Sequence, residues 1–470
     1  MGKTKHPTKK LDKHAEEKKP DYFTVLLLAA ALFTLSFIGA GNLRVVGAAG
    51  IMLCLAGMLK EEAYVDLWGL VPLVIYNLMC MFSSWHAYEN IVTGFASLHL
   101  IFPVVYLLMA CLGEEEKKLL RRLCACWAGT VAGLGICRFV WQAMHHEAGR
   151  LGGIIGNANA LGIFLVIGWF ALLAAREDVT EGTRIWRRLL YCLEPVILIA
   201  LSLTLSMGSF CAMAAGIFIM ILPKIRQTGL VSGVIHAFGI LARAALGFAA
   251  GLLMYIAATR TVMPWICVLL LIYACALSMR WENFICFLNQ YKKMPALISV
   301  MGIIVAGAAV AVRPSAIATF TERLAMMRNG LGYILDDPFL GVGPYQWRML
   351  NLYDSDTYFN TWHIHNALIH VGVETGVIAM TMLIWVIVRF YMKKETPSQR
   401  AGFTALVFHN MMDTSFFYPS IVMLTMMTAV NPGERGKRAG GAAIRIFFGI
   451  CALIFAWNLY YYMLKAGEQS

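Results

Sequence analysis

The stretch 154–175, IIGNANALGIFLVIGWFALLAA, holds no charged side chain and is closed on its C-terminal side by Arg176, Glu177 and Asp178. About twenty apolar residues, rising roughly 1.5 Å each, make a helix that crosses the hydrocarbon core of a bilayer. Similar runs recur near 22–41, 43–59, 64–84, 91–112, 123–144, 189–206, 208–222, 235–258, 262–279, 295–312, 367–390, 401–417, 419–430 and 443–463. The 419–430 run is short for a full crossing. The pattern predicts an all-α fold, a polytopic membrane helix bundle with about 13–15 transmembrane helices and one long extracytoplasmic loop.

Composition points the same way. Of 470 residues, 59 % are apolar and only 14 % are charged, whereas a soluble domain carries about 25 %. The mean hydropathy is +0.67. An ordinary soluble enzyme is thereby excluded. The twelve cysteines sit in apolar runs or at their edges and form no CxxC pair. They read as small packing residues.

The net charge of +12 sorts by topology. Residues 1–20 hold seven lysines and few apolar side chains, which predicts a disordered basic tail. With that tail cytoplasmic, 29 of the 39 Lys and Arg fall in inside segments, as the positive-inside rule requires. Arg138 and Arg243 lie within spans, and Arg44, Arg150, Arg260, Arg313, Arg323, Arg328, Arg348 and Lys465 fall outside. No nucleic acid partner is needed to explain the basic balance. The chain then divides into the tail 1–20, N-terminal helices 21–312, an extracytoplasmic catalytic loop 313–366 and C-terminal helices 367–470.

Segment 313–366 is long where most other connections are short, and long ordered loops usually carry function. It holds four arginines and no lysine, and arginine's planar fork suits phosphate and carboxylate. A helix-like stretch opens near Glu322-Arg323 and stops at Asp336-Asp337-Pro338. Arg323 and Arg328, five residues apart, diverge on it. The turn Gly341-Val342-Gly343-Pro344 either brings backbone to a ligand or simply turns the chain.

His363-Ile364-His365-Asn366 marks the return to the membrane and admits three readings. His363, His365, His370 and Glu374 cluster as metal ligands do, but nothing completes a convincing site, so no metal is expected. A histidine with satisfied hydrogen bonds is the plain reading. A general base taking a proton from a hydroxyl is the sharper one. Glu374, with His370, lies inside the next span, and His409, Asn410 and Asp413 lie in the 401–417 run; ionisable groups in membrane helices mark function. Asn157 and Asn159 open the 154–175 helix as caps or as ligands.

These elements, in this order, resemble the signature of the O-antigen ligase and O-antigen polymerase family. The resemblance rests on Glu322-Arg323, then Asp337-Pro338-Phe339-Leu340-Gly341-Val342-Gly343-Pro344, then His365-Asn366 and Glu374-Thr375-Gly376. Asn157 and Asn159, and Asp413 after His409, are similar to further family elements. The resemblance implies a GT-C-type, metal-independent, inverting glycosyltransferase without cofactors in the bacterial cell (inner) membrane, acting in surface polysaccharide and cell-envelope biosynthesis. It implies an undecaprenyl-pyrophosphate-linked glycan as donor and a glycan or glycolipid hydroxyl as acceptor, with membrane lipids as surroundings. Arg323 would bind the pyrophosphate, with Arg328, His363, Asn366, Asn157, Asn159, Gly341 and Gly343 as further binding candidates. His365 would act on the acceptor hydroxyl, with Glu374 or Asp413 orienting it or serving as base.

One departure stands out. Where the family often carries Ser-Arg-Gly, this chain has Ser206-Met207-Gly208, and Met327 replaces a usual aromatic. Arg150 or Arg260 is expected to supply the missing cation. A lipid-linked oligosaccharide flippase is the competing class, but no repeated halves are visible.

Overall fold

The structure is a computed structural model that describes residues 21–37, 42–178, 184–260, 265–291, 293–311, 315–353, 359, 361–433 and 436–467. The chain opens with α1 (Tyr22–Phe37), α2 (Leu43–Met58), β1 (Glu62–Val65) and α3 (Leu67–Tyr88). Next come α4 (Phe95–Leu98), α5 (Ile101–Ala110), α6 (Glu114–Met144) and α7 (Ala158–Glu177). The middle comprises α8 (Arg184–Leu203), α9 (Met207–Thr228), α10 (Leu230–Arg260), α11 (Trp265–Met279), α12 (Trp281–Gln290) and α13 (Lys293–Ala311). Then follow α14 (Ser315–Asp336), α15 (Gln346–Tyr353), α16 (Ala367–Tyr391) and α17 (Pro397–Asn410). A 3-10 turn (Ser415–Phe417), α18 (Pro419–Ala429), β2 (Lys437–Gly440) and α19 (Gly441–Gly467) complete the chain.

This is a multi-pass helical membrane protein. Among the described residues, seven helices are long and apolar enough to cross a bilayer, or eight if the bent pair α11–α12 counts as one span. The sequence pattern promised 13–15, and the difference has a physical cause. Several apolar runs fold as shorter helices; α1 and α2 have 16 residues each and reach only about 24 Å. Run 91–112 breaks into α4 and α5, and α18 has only 11 residues.

The bundle is built around the stretch that fixed its character. Every residue of α7 from Ala160 to Ala175 is buried. Small residues let its neighbours approach closely. A Cβ on Gly168 would lie 2.3 Å from Ala128 Cβ of α6, and one on Gly162 would meet Ser209 Oγ of α9 at 2.5 Å.

Segment 313–366, expected as a loop, is largely α14 and α15. It carries a small apolar cluster of its own, Met326, Ile334, Trp347, Phe359 and Ile364, with Val373 of α16. Its turn locks into a break in α16. Gly376 has φ +83°, and a Cβ there would sit 2.0 Å from Phe339 O, so only glycine fits. The break frees main-chain groups that the turn then satisfies. Val342 N–H donates to Val373 O (2.9 Å), Gly343 N–H to Glu374 O (3.0 Å) and Val377 N–H to Pro338 O (2.8 Å).

The two ends of the bundle differ in charge. At the end where α3 begins and α16 finishes, Asp66 pairs with Arg389 (2.9 Å) and Lys393 (3.0 Å) beside the antiparallel β1–β2 pair. Lys117 and Arg121 at the start of α6 lie there too, bonded to Asn431 and Asp178. The opposite end, where α7, α9 and α16 start, holds the candidate site.

Candidate functional site

Three helix starts and one helix end converge at that end. Asn157 caps α7, its side chain accepting from the N–H groups of Asn159 and Ala160. Ser206 caps α9, and Asn366 caps α16 by accepting from Leu368 and Ile369 N–H at 3.1 Å each. α17 ends at Asn410, and the following turn carries Asp413 to the same place. α14 adds Arg323.

Asp413 is the meeting point. Asn159 Nδ2 donates to its Oδ2 (2.8 Å), Arg323 Nη2 lies 3.6 Å from Oδ2, and His365 Nδ1 lies 3.5 Å from Oδ1. Arg323 Nη1 also donates to Met412 O, and its Nε finds no partner among the described residues. Arg150 joins through Asn159, donating from Nη2 to Oδ1 (2.7 Å), while its Nε donates to Thr204 O. Burial alone pushes the Asp413 carboxyl up, but His365, His409 and Arg323 outweigh it and hold the group well below the usual carboxylate range.

A second polar chain runs beside this one. His363 Nδ1 and His370 Nε2 are 3.0 Å apart, and His370 Nε2 lies 3.4 Å from Glu374 Oε2. Ile364 N–H donates to His370 Nδ1, which leaves the ring proton on Nε2, aimed at His363. The His363 ring stacks on Phe417 with the planes 7° apart. Burial, and the proximity of the His365 ring, lower the His363 pKa to about 4, against a weaker pull upward from Asp413.

The sequence candidates therefore part company. Arg323, His365, Asp413, Asn159 and Arg150 come together. Asn157 and Asn366 are spent on caps, although Asn366 Nδ2 also reaches Met411 O at 3.3 Å. Glu374 is fully buried behind the turn and accepts from Tyr345 N–H (2.9 Å). The N–H groups of Gly341 and Gly343 bond to Asp337 O and Glu374 O, and Val373 and Glu374 backbone fills the space beside Gly341. Arg328 is exposed; five residues past Arg323 it lies about 140° around α14. Arg260 ends α10, and its side chain lies outside the described residues.

His409, named with Asp413 from the sequence, belongs here too, and two contributors, Ser206 and Ser209, were not put forward as site residues. His409 is buried beside Asp413, with Nδ1 3.0 Å from Ser415 Oγ and Nε2 unpartnered among the described residues. Ser206 and Ser209 share a hydrogen bond (2.9 Å), and Ser209 reaches Asn159 O (3.3 Å). A histidine four residues before an aspartate was the signal that marked His409. For the serines the signal was the capping pattern at 206–209.

Compared with protein-family models and with curated proteins, the chain matches none. Among the described residues no three His, Cys, Asp or Glu side chains are grouped to hold a metal ion. An apolar cavity of about 110 Å³ adjoins the site. It runs between α16 and α17 from Ala367 and Met411 at the site end to Arg389 and Val430 at the other, with Phe102 and Phe416 in its walls.

Proposed function

We propose that this chain is an integral-membrane glycosyltransferase that moves a glycan from an undecaprenyl-pyrophosphate carrier to an acceptor sugar hydroxyl outside the cytoplasm. The observation that carries the reading is the meeting of Arg323, His365 and Asp413 with Asn159 and Arg150, drawn from separate stretches of chain to one end of the bundle. The cations at the opposite end favour a cytoplasmic placement for that end.

The chemistry follows from the charges. A lipid pyrophosphate leaves readily, so the site's main task is to offset negative charge on the departing phosphates. Arg323 supports that task with an unspent Nε–H, and Arg150 adds a second guanidinium. The acceptor oxygen attacks the anomeric carbon as the carbon–phosphate-oxygen bond breaks, which inverts that centre. The acceptor proton passes to the face of His365 turned away from Asp413, and the carboxylate steadies the resulting imidazolium. The apolar cavity suits the first isoprene of a polyprenyl chain, since its site end at Met411 adjoins the Met412 carbonyl that Arg323 holds. His363, with a pKa of about 4, stays neutral near pH 7 and does not compete as a cation.

Transfer from a purified lipid-linked oligosaccharide to an acceptor glycan, by purified protein without a gradient, tests the reading. Product from the wild type and none from His365→Ala is expected. Equal product from both would overturn it.

A further inference from the structure

A second cluster of charge lies away from that site, among α8, α10, α12 and the C-terminal half of α7. Glu194 of α8 is fully buried and accepts from Trp169 Nε1 (3.1 Å), Trp281 Nε1 (2.8 Å) and Arg176 Nη1 (2.9 Å). Arg243 of α10 approaches its other side, Nε to Oε1, at 3.5 Å. One carboxylate thus faces two guanidinium groups. The neighbouring Arg187–Glu282 pair (3.1 Å) leaves that surplus of one positive charge unchanged. Glu194 is the only hydrogen-bonding or ion-pairing partner that Arg243 meets among the described residues. A surplus charge within a membrane bundle is costly unless an anion answers it.

The place for that anion is built. His236, Gly239 and Arg243 line one side of a cavity of about 250 Å³, with Ile285 and Leu288 of α12 and Pro295 of α13 opposite. The cavity exists because α12 turns aside from α11 by 70° and because Gly239 leaves open space, with no atom within 4 Å of where its Cβ would be. Guanidinium forks match phosphate oxygens, and basic pockets between membrane helices take lipid headgroups.

We propose that Arg243 binds a phosphate group in this cavity, that of an anionic membrane lipid or free phosphate, and that the anion completes the brace joining α7, α8, α10 and α12. The full-length protein in neutral detergent, titrated with phosphatidylglycerol or with inorganic phosphate, tests this by native mass spectrometry and thermal shift. Binding by wild type, weakened about tenfold in Arg243→Met, is the expected result. Gly239→Leu fills the cavity without changing charge and is expected to fold and to lose binding similarly. An Arg243-dependent response to phosphatidylglycerol alone identifies a lipid site; an equal response to phosphate identifies a free-anion site. Unaltered binding in Gly239→Leu, or no binding of either probe to wild type, overturns the proposal.

Discussion

Moving one carboxylate by the width of a hydrogen bond separates holding the site together from doing its chemistry. Asp413→Asn keeps the shape but removes the charge that faces Arg323 at 3.6 Å. At an effective dielectric near 20, that pair is worth about 4–5 kcal/mol before desolvation. Asp413's side chain is only 10 % exposed, so the cost of burying the charge offsets much of this. A net loss of about 2 kcal/mol is left, typical of a hydrogen bond to a charged group. Adding Asn159→Asp reverses the 2.8 Å bond, since the new amide donates to the new carboxylate. The charge then sits beside Arg150, whose Nη2 lies 2.7 Å from the side-chain oxygen of residue 159. The double variant is therefore expected to regain at least half the lost stability in a detergent thermal-shift assay. Transfer in Asp413→Asn should fall by about 10²–10⁴ and stay low in the double variant, because His365 has lost its partner. Recovery of turnover along with stability would refute the claim that the carboxylate must face His365.

Arg323→Lys keeps the charge but loses the fork, and transfer is expected to drop at least tenfold with normal expression; wild-type turnover would make Arg323 a structural residue. Protonation of His363 is disfavoured in the folded state, whose pKa of about 4 lies below the ordinary histidine value. The unfolded chain therefore binds the extra proton first as pH falls, and stability should decline between about pH 6.5 and pH 4, by about 3 kcal/mol in full. His363→Gln should flatten that slope in pH-dependent thermal shifts. Gly376→Ala would force a Cβ to within 2.0 Å of Phe339 O at φ +83°, and a loss of about 3 kcal/mol or more is expected. Gly449→Ala, in open space on α19, should be neutral or stabilising and serves as the comparison.

Hydropathy exposed the helical membrane character because α7 and its neighbours are apolar over whole spans. It did not expose helix breaks, since the break between α4 and α5 leaves apolar content intact. Arg323 and His365 stood out because they lie in the one long polar segment among short connections, and Asp413 because ionisable groups inside membrane helices are rare. Glu374 stood out for the same reason, yet its carboxylate faces a backbone N–H at a break that no local pattern announces. The glycines of the 341–343 turn could be read as bringing backbone to a ligand or as simply turning the chain. Their N–H groups are used by partners from Asp337 to Glu374, a pairing that spacing alone does not reveal. Arg150 needed the fold most, because only the packing of α7 against α17 shows that Asn159 relays it to Asp413.

The break in α16 also bears on the order in which the chain is made. Backbone groups freed inside a bilayer need partners at the moment of insertion. Those at Val373, Glu374 and Val377 find theirs in Pro338, Val342 and Gly343, all synthesised earlier, and Ser83 Oγ adds a bond to Glu374 O. A nascent α16 therefore meets a template already waiting. Asp66 is placed otherwise: Arg389 and Lys393 emerge more than three hundred residues after it. Its pairing closes the bundle late, so a ribosome stalled before Arg389 would leave that end without its ionic clasp.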